Sequence, residues 1–256
     1  MKMFFALVKK EWTGRIRTGS ALIMAALFFV FGITNPLIAK LTPWLLEIMA
    51  DSMAESGLVI TAVTVDALTS WTQFFKNAPM ALLVFVLMES TAFSKEYTDG
   101  TLTLILTKGV PRYRVVLSKG FVLMTEWIMG YWMHWAVTWL YTEIYWDNRI
   151  AVNLGFSAFC WCLFGLLVTA LLILFSCIGN TSSSALLGTG VAVVFFYILS
   201  LFSQTKKYSP LFLTDGTALV YATQKASDFT ASAVAAAVSA IVCLVAAIIF
   251  FKKKKL

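Results

Sequence analysis

Apolar residues in this chain gather into runs of membrane length, and the polar positions fall between them. Six runs, at about residues 20–39, 72–92, 120–142, 154–178, 185–202 and 231–251, approach the ~20 residues that carry a helix across a bilayer. Each is predicted to be helical, because hydrocarbon offers no partner to an unpaired backbone amide. Ahead of the first run, Phe4, Val8, Trp12 and Ile16 recur every fourth residue with Phe5 beside them, and Lys2, Lys10 and Arg17 lie opposite. That period predicts an amphipathic helix over residues 2–17 lying in the membrane interface, with Arg15 at the stripe's edge and its charge reaching out to water. The expected fold is therefore an all-α membrane protein: six transmembrane helices and an N-terminal interfacial helix in a single transmembrane domain, 1–256.

Composition excludes a soluble domain. Of 256 residues 60% are hydrophobic and 13% charged, well outside the usage of soluble globular chains. The first run is longer than a secretory apolar core and lacks a small-x-small cleavage site near residues 37–40, so it is expected to stay as an anchor.

The net charge of +7 acts as a topology signal. Lys2, Lys9, Lys10, Arg15 and Arg17 precede the first run. Lys95, Lys108, Arg112, Arg114 and Lys119 lie in or beside the second-to-third connection, and Lys252 to Lys255 follow the last. These three regions alternate correctly for one side, which the positive-inside rule makes cytoplasmic. The other connections carry Glu47, Asp51, Glu55, Asp66, Glu143, Asp147, Asp215 and Asp228. Both termini are expected inside, in the plasma membrane of a bacterium. Because the basic residues flank spans, they argue against nucleic acid as a partner.

Several chemistries find no residues to carry them. Cys160, Cys162, Cys177 and Cys243 fall inside spans, where cysteine acts as a small apolar residue, and His134 is the lone histidine. No metal site is expected. The chain has no G-x-x-x-x-G-K-[ST] loop, serine elbow or H-E-x-x-H, so it holds no ATP of its own and no catalytic residue is assigned.

One polar insert interrupts the apolar pattern. Residues 94–119 open with Ser94-Lys95-Glu96-Tyr97-Thr98-Asp99-Gly100 and continue with the apolar positions Leu102, Leu104, Ile105 and Leu106. A Gly109-Val110-Pro111 break and a basic run follow. Gly100-Thr101 is expected to open a short helix with Asp99 near its N-terminus, and Gly109 with Pro111 to close it. Such a helix either docks into a groove on another protein or packs as a hairpin under its own spans.

The order Glu89, Glu96, Gly100-Thr101-Leu102, Leu106-Thr107, Val110, Arg112 and Lys119 resembles the signature of type-2 ATP-binding-cassette (ABC-2) exporter permeases. There, acidic residues precede a Gly-Thr helix, a Pro-Val-Ser-Arg turn and a lysine. The chain departs from that turn in having Gly109-Val110-Pro111-Arg112. The resemblance implies that 94–119 holds a cytoplasmic coupling helix. It implies a 2+2 assembly with a second permease copy or homologue and a cytosolic ABC ATPase subunit, where ATP and Mg would bind. On this reading Thr101, Leu102, Leu104, Ile105 and Leu106 meet the ATPase groove, Gly100 shapes the turn, Arg112 and Arg114 face its acidic rim or lipid phosphates, and Glu96 anchors the loop to Arg112 or Lys119.

Within the spans, two acidic residues stand near inner ends, where a carboxylate needs water, a partner or a task. Glu89 is expected to be solvated or lysine-paired. Glu126 joins Trp127, Tyr131, His134 and Trp135 as a candidate substrate path, the aromatics being equally suited to packing. The cargo expected is amphipathic or hydrophobic, a peptide of the phenol-soluble-modulin or bacteriocin kind ahead of a membrane lipid. The alternative is an ion-coupled secondary transporter or channel working through Glu126 and His134. The connection over 205–230 is long enough for short helices at the exit.

Overall fold

The computed structural model describes residues 2–55 and 65–254, and these are almost wholly helical. Asp51, Glu55 and Lys255, assigned above to one side or the other by charge, lie outside the described side chains. A first helix, α1 (Lys2–Arg17), leads into α2 (Ser20–Glu55), α3 (Ala67–Glu89), the short α4 (Thr91–Thr98) and α5 (Thr101–Thr107), and then α6 (Arg112–Tyr145). α7 (Leu154–Ile178), α8 (Ser182–Leu201), a short α9 (Gly216–Val220) and α10 (Thr230–Lys253) complete the chain. Among the described residues five helices, α2, α3, α7, α8 and α10, are long and apolar enough to cross a membrane. α6 has the length, but Glu126, His134 and its many Trp and Tyr residues lower its apolarity.

Local chemistry explains most of the boundaries. Asp66 caps α3 by accepting from the Thr69 amide at 2.9 Å, and the Thr69 hydroxyl faces back to the Asp66 amide, a reciprocal cap. α8 starts at a Thr181 side-chain cap on the Ser184 amide. α2 runs through Pro36, which removes the amide that would have bonded the Gly32 carbonyl. The Thr138 hydroxyl of α6 donates to that carbonyl at 3.1 Å, so this acceptor keeps a partner.

α6 and α7 form the centre. Trp127 and Tyr131 of α6 are fully buried and stacked at 5.4 Å, with Phe28 of α2 and Phe85 of α3 edge-on to Trp127. The helices approach closely where a side chain is missing: Gly165 of α7 lies against the Trp127 indole and Gly130 of α6 against the Phe28 ring. Beside this core runs a polar seam. The Asn35 amide reaches His134 Nε2 at 2.9 Å and the Thr138 hydroxyl at 2.8 Å, Asn77 donates to Asn35 at 2.7 Å, and Ser70 meets Thr142 at 2.7 Å.

The far end is closed by the connection between α8 and α10, which folds into 3-10 turns at Lys206–Tyr208, Pro210–Thr214 and Ala226–Phe229 around α9. Phe212 and Phe229 stack at 4.5 Å, and the Trp161 indole donates to the Thr214 carbonyl at 2.9 Å. The expected short helices are present and packed onto the bundle.

Candidate functional site

The near end gathers α1, the ends of α3 and α10, the α4–α5 pair and the start of α6. α3 stops at Glu89, the chain bends at Ser90, and α4 carries Phe93 and Glu96. Gly100 and Gly109 both adopt left-handed backbone, with φ of 66° and 79°, which costs glycine nothing and other residues about 1–2 kcal/mol. They bracket the seven-residue α5. Asp99 ends α4 rather than capping α5, whose first residue follows Gly100 without a side-chain cap.

One face of α5 packs inward. Leu102 is 1% exposed in a small core with Phe93, Val115, Val116, Ile173 and Phe251, and Ile105 and Leu106 lie half-buried against it. Thr101, Leu104 and Thr107 face outward, Leu104 being 60% exposed. Leu102 is thus a correction to the docking set: burial beneath the chain's own spans takes its side chain away from any partner.

Ion pairs join this region to α1. Lys119, 4% exposed, donates to Glu11 at 3.0 Å and to the Ala92 carbonyl at 3.0 Å, and lies 3.3 Å from Glu96. Lys10 reaches the same two carboxylates, Glu96 at 2.5 Å and Glu11 at 3.1 Å. Arg15 pairs with Glu89 at 2.6 Å and also with Glu126. Burial opposes the charge on Glu11, but Lys119 and Lys10 outweigh it and hold the carboxyl below its usual range. Burial likewise opposes the Lys10 charge, yet Glu96 and Glu11 raise its pKa. The network lines an open pocket of about 360 Å³ bordered by α1, the start of α2, α3, α4 and α6.

Two expectations change here. Arg15 turns inward instead of reaching to water, because two buried carboxylates offer a better partner than an exposed surface. Glu89 is neither solvated nor lysine-paired: it is 5% exposed and bound to arginine. Glu96 meets Lys119 as expected. Arg112 instead donates to the carbonyls of Phe251 and Lys252 at 3.3 Å each, and to that of Lys254, capping the end of α10. Arg114 sits by Met3 and Tyr113. The Lys254 ammonium returns the connection, donating to the Cys177 and Gly179 carbonyls and lying 4.2 Å from the Tyr97 ring centre.

Of the candidate path residues, Trp127, Tyr131 and His134 are wholly buried in the bundle, and Trp135 packs on Trp71 with ring centres 5.9 Å apart. Glu126 borders a small groove beside α1 and α2. A larger apolar groove of about 520 Å³ opens elsewhere, between α3, α7, α8 and the 210–214 turn, lined by Leu83, Val86, Phe164 and Val193 among others. Sequence reading placed Lys10 only on the polar face of α1 and among the topology-setting charges, and did not single out Glu11 or that groove. Glu11 stands one helical turn before Arg15, but the partners of Lys10 and Glu11 outside α1, Glu96 and Lys119, lie on two other helices.

Comparison with known proteins agrees with this architecture. The profile of the ABC-2 family transporter proteins matches residues 5–256, and the chain belongs to that family. It is also 26% identical over 220 residues to the Bacillus subtilis (strain 168) protein YxlG, described as an uncharacterized transmembrane protein, covering 82% of this chain and 81% of that one. The chain is thus the transmembrane component of a transporter, and the family's membrane component is not itself catalytic.

Proposed function

We propose that the chain is the permease subunit of an ATP-driven exporter, crossing the membrane six times with both termini cytoplasmic and receiving work from a separate ABC ATPase through α4 and α5. The observation that carries this reading is the ion-paired joint: Lys119 and Lys10 tie α4 to α1, and Arg15 ties α1 to α3 and α6. A push on α5 moves α4 with it, and buried charge pairs resist stretching because separating them leaves charge uncompensated in low dielectric. The displacement is therefore delivered to the spans as rigid-body tilt. A second permease copy or homologue completes the transport unit, and the apolar groove between α3, α7 and α8 suits an amphipathic or hydrophobic cargo, a peptide ahead of a lipid. ATP and Mg belong to the ATPase.

The test uses the tagged full-length chain expressed in its own cell. It should co-purify with an ABC ATPase, and Leu104→Asp should abolish that association while membrane insertion and melting temperature stay unchanged, since Leu104 is exposed. No ATPase with the unaltered chain, or undiminished association with the variant, would sink the reading.

A further inference from the structure

With both carboxylates ionised, the charges around Arg15 do not balance. Lys10 and Lys119 share Glu11 and Glu96, two cations for two carboxylates, whereas Arg15 alone faces both Glu89 and Glu126. One Glu126 oxygen takes the Arg15 hydrogen bond, and the other, Oε1, is buried without any partner. An unpaired carboxylate oxygen at such depth is costly. Glu126 is 5% exposed, and it borders a groove of about 200 Å³ between α1, α2 and α6, walled by Trp12, Met24, Met129, Gly130 and Met133.

We propose that this groove binds the primary ammonium head of a single-chain amphiphile entering from the lipid. The ammonium donates to Glu126 Oε1 and supplies the missing positive charge, a charge-assisted bond in a water-poor setting. Trp12 offers an aromatic surface beside the cation, and the flexible, polarizable methionines accept an alkyl chain without demanding one shape. The site stands apart from ATP-driven transport and can be read with no ATPase present.

The experiment places the purified full-length chain in zwitterionic nanodiscs and labels it with a photoreactive alkyl primary amine of twelve carbons. Saturable labelling on peptides holding Met24, Met129 or Met133 is expected, competed by dodecylammonium but not by dodecyl sulfate or 1-dodecanol. Glu126→Gln should weaken binding about tenfold or more, the loss expected for one charge-assisted bond. Met129→Trp, which fills the groove and leaves the ion pairs intact, should weaken it as well and guards against misfolding of the first variant. Equal competition by 1-dodecanol would mean an apolar groove with a protonated carboxyl, and competition by methylammonium or a short lysine peptide would mean a water-borne ligand. Either result, or labelling unchanged in both variants, overturns the proposal.

Discussion

Arg15 illustrates how far a single residue can depart from what its neighbours in sequence suggest. Its position on a helix face says only that it borders an apolar stripe; its partners, Glu89 and Glu126, come from two other helices, and no local period encodes that meeting. Arg15→Ala should cost about 3–5 kcal/mol, the range for stripping one partner from a buried pair. Adding Glu89→Gln and Glu126→Gln should restore much of it, read as melting temperature in detergent. If the triple variant melts no higher than Arg15→Ala, the pairing is not what stabilises the joint. Glu11 gives a pH signature. Its pKa is depressed in the folded chain, so its contribution is full above the ordinary carboxylate value of ~4.3 and is lost as pH falls through the lower folded value. Lys10 is raised, so its contribution holds below ~10.4 and is lost as pH rises past that. The melting temperature should fall less steeply on the acid side in Glu11→Gln than in the unaltered chain. Identical acid limbs would refute the assignment.

Elements were more legible than contacts. The apolar run at 154–178 coincides with α7 because both its ends carry turn residues, Asn153 and Gly179. α3 begins five residues before its apolar run, at the Asp66 and Thr69 reciprocal cap, a signal present in the sequence but overshadowed by hydropathy. α2 and α6 overrun their apolar stretches for physical reasons that hydropathy does not see. Thr138 satisfies the carbonyl freed by Pro36, and the first turns of α6 pack Val115 and Val116 under α5. The glycine-bracketed helix at Thr101–Thr107 followed from turn chemistry, yet which of its leucines turned inward needed the second core to be known. Leu102→Asp should therefore behave unlike Leu104→Asp. The first buries a charge in that core and should lower the melting temperature sharply, whereas the second sits in solvent and should leave it unchanged. Equal melting of the two variants would show that α5 does not pack as described. Asn35→Ala is a parallel test of the polar seam: it strands His134 and Asn77 and should cost about 1–3 kcal/mol.

At the scale of the molecule, the two ends of the bundle differ in charge and in what they bring together. Lys254 rests on Tyr97, Arg112 on the end of α10, and Arg114 beside Met3, so both described ends of the chain lie with α4 and α5. The proposed six passes require α6 to cross beside the five helices that, among the described residues, meet the length and apolarity of a span. The polar residues of α6 are compatible with a crossing because they face inward: Glu126 is paired to Arg15, and His134 and Thr138 are bonded to Asn35. Side-specific labelling in intact cells tests this directly. The native cysteines make little background, Cys160, Cys162 and Cys177 being buried and Cys243 half-buried. A membrane-impermeant maleimide added outside should label Ser227→Cys, exposed on the far-end connection, and should label Thr107→Cys only after the cells are opened. Ile144→Cys, exposed near the end of α6, should follow the Ser227→Cys pattern if α6 crosses. Labelling of Ile144→Cys only in opened cells would leave five passes, separate the two ends of the chain across the membrane, and break the link between the charged joint and the cytoplasm on which ATP-driven coupling depends.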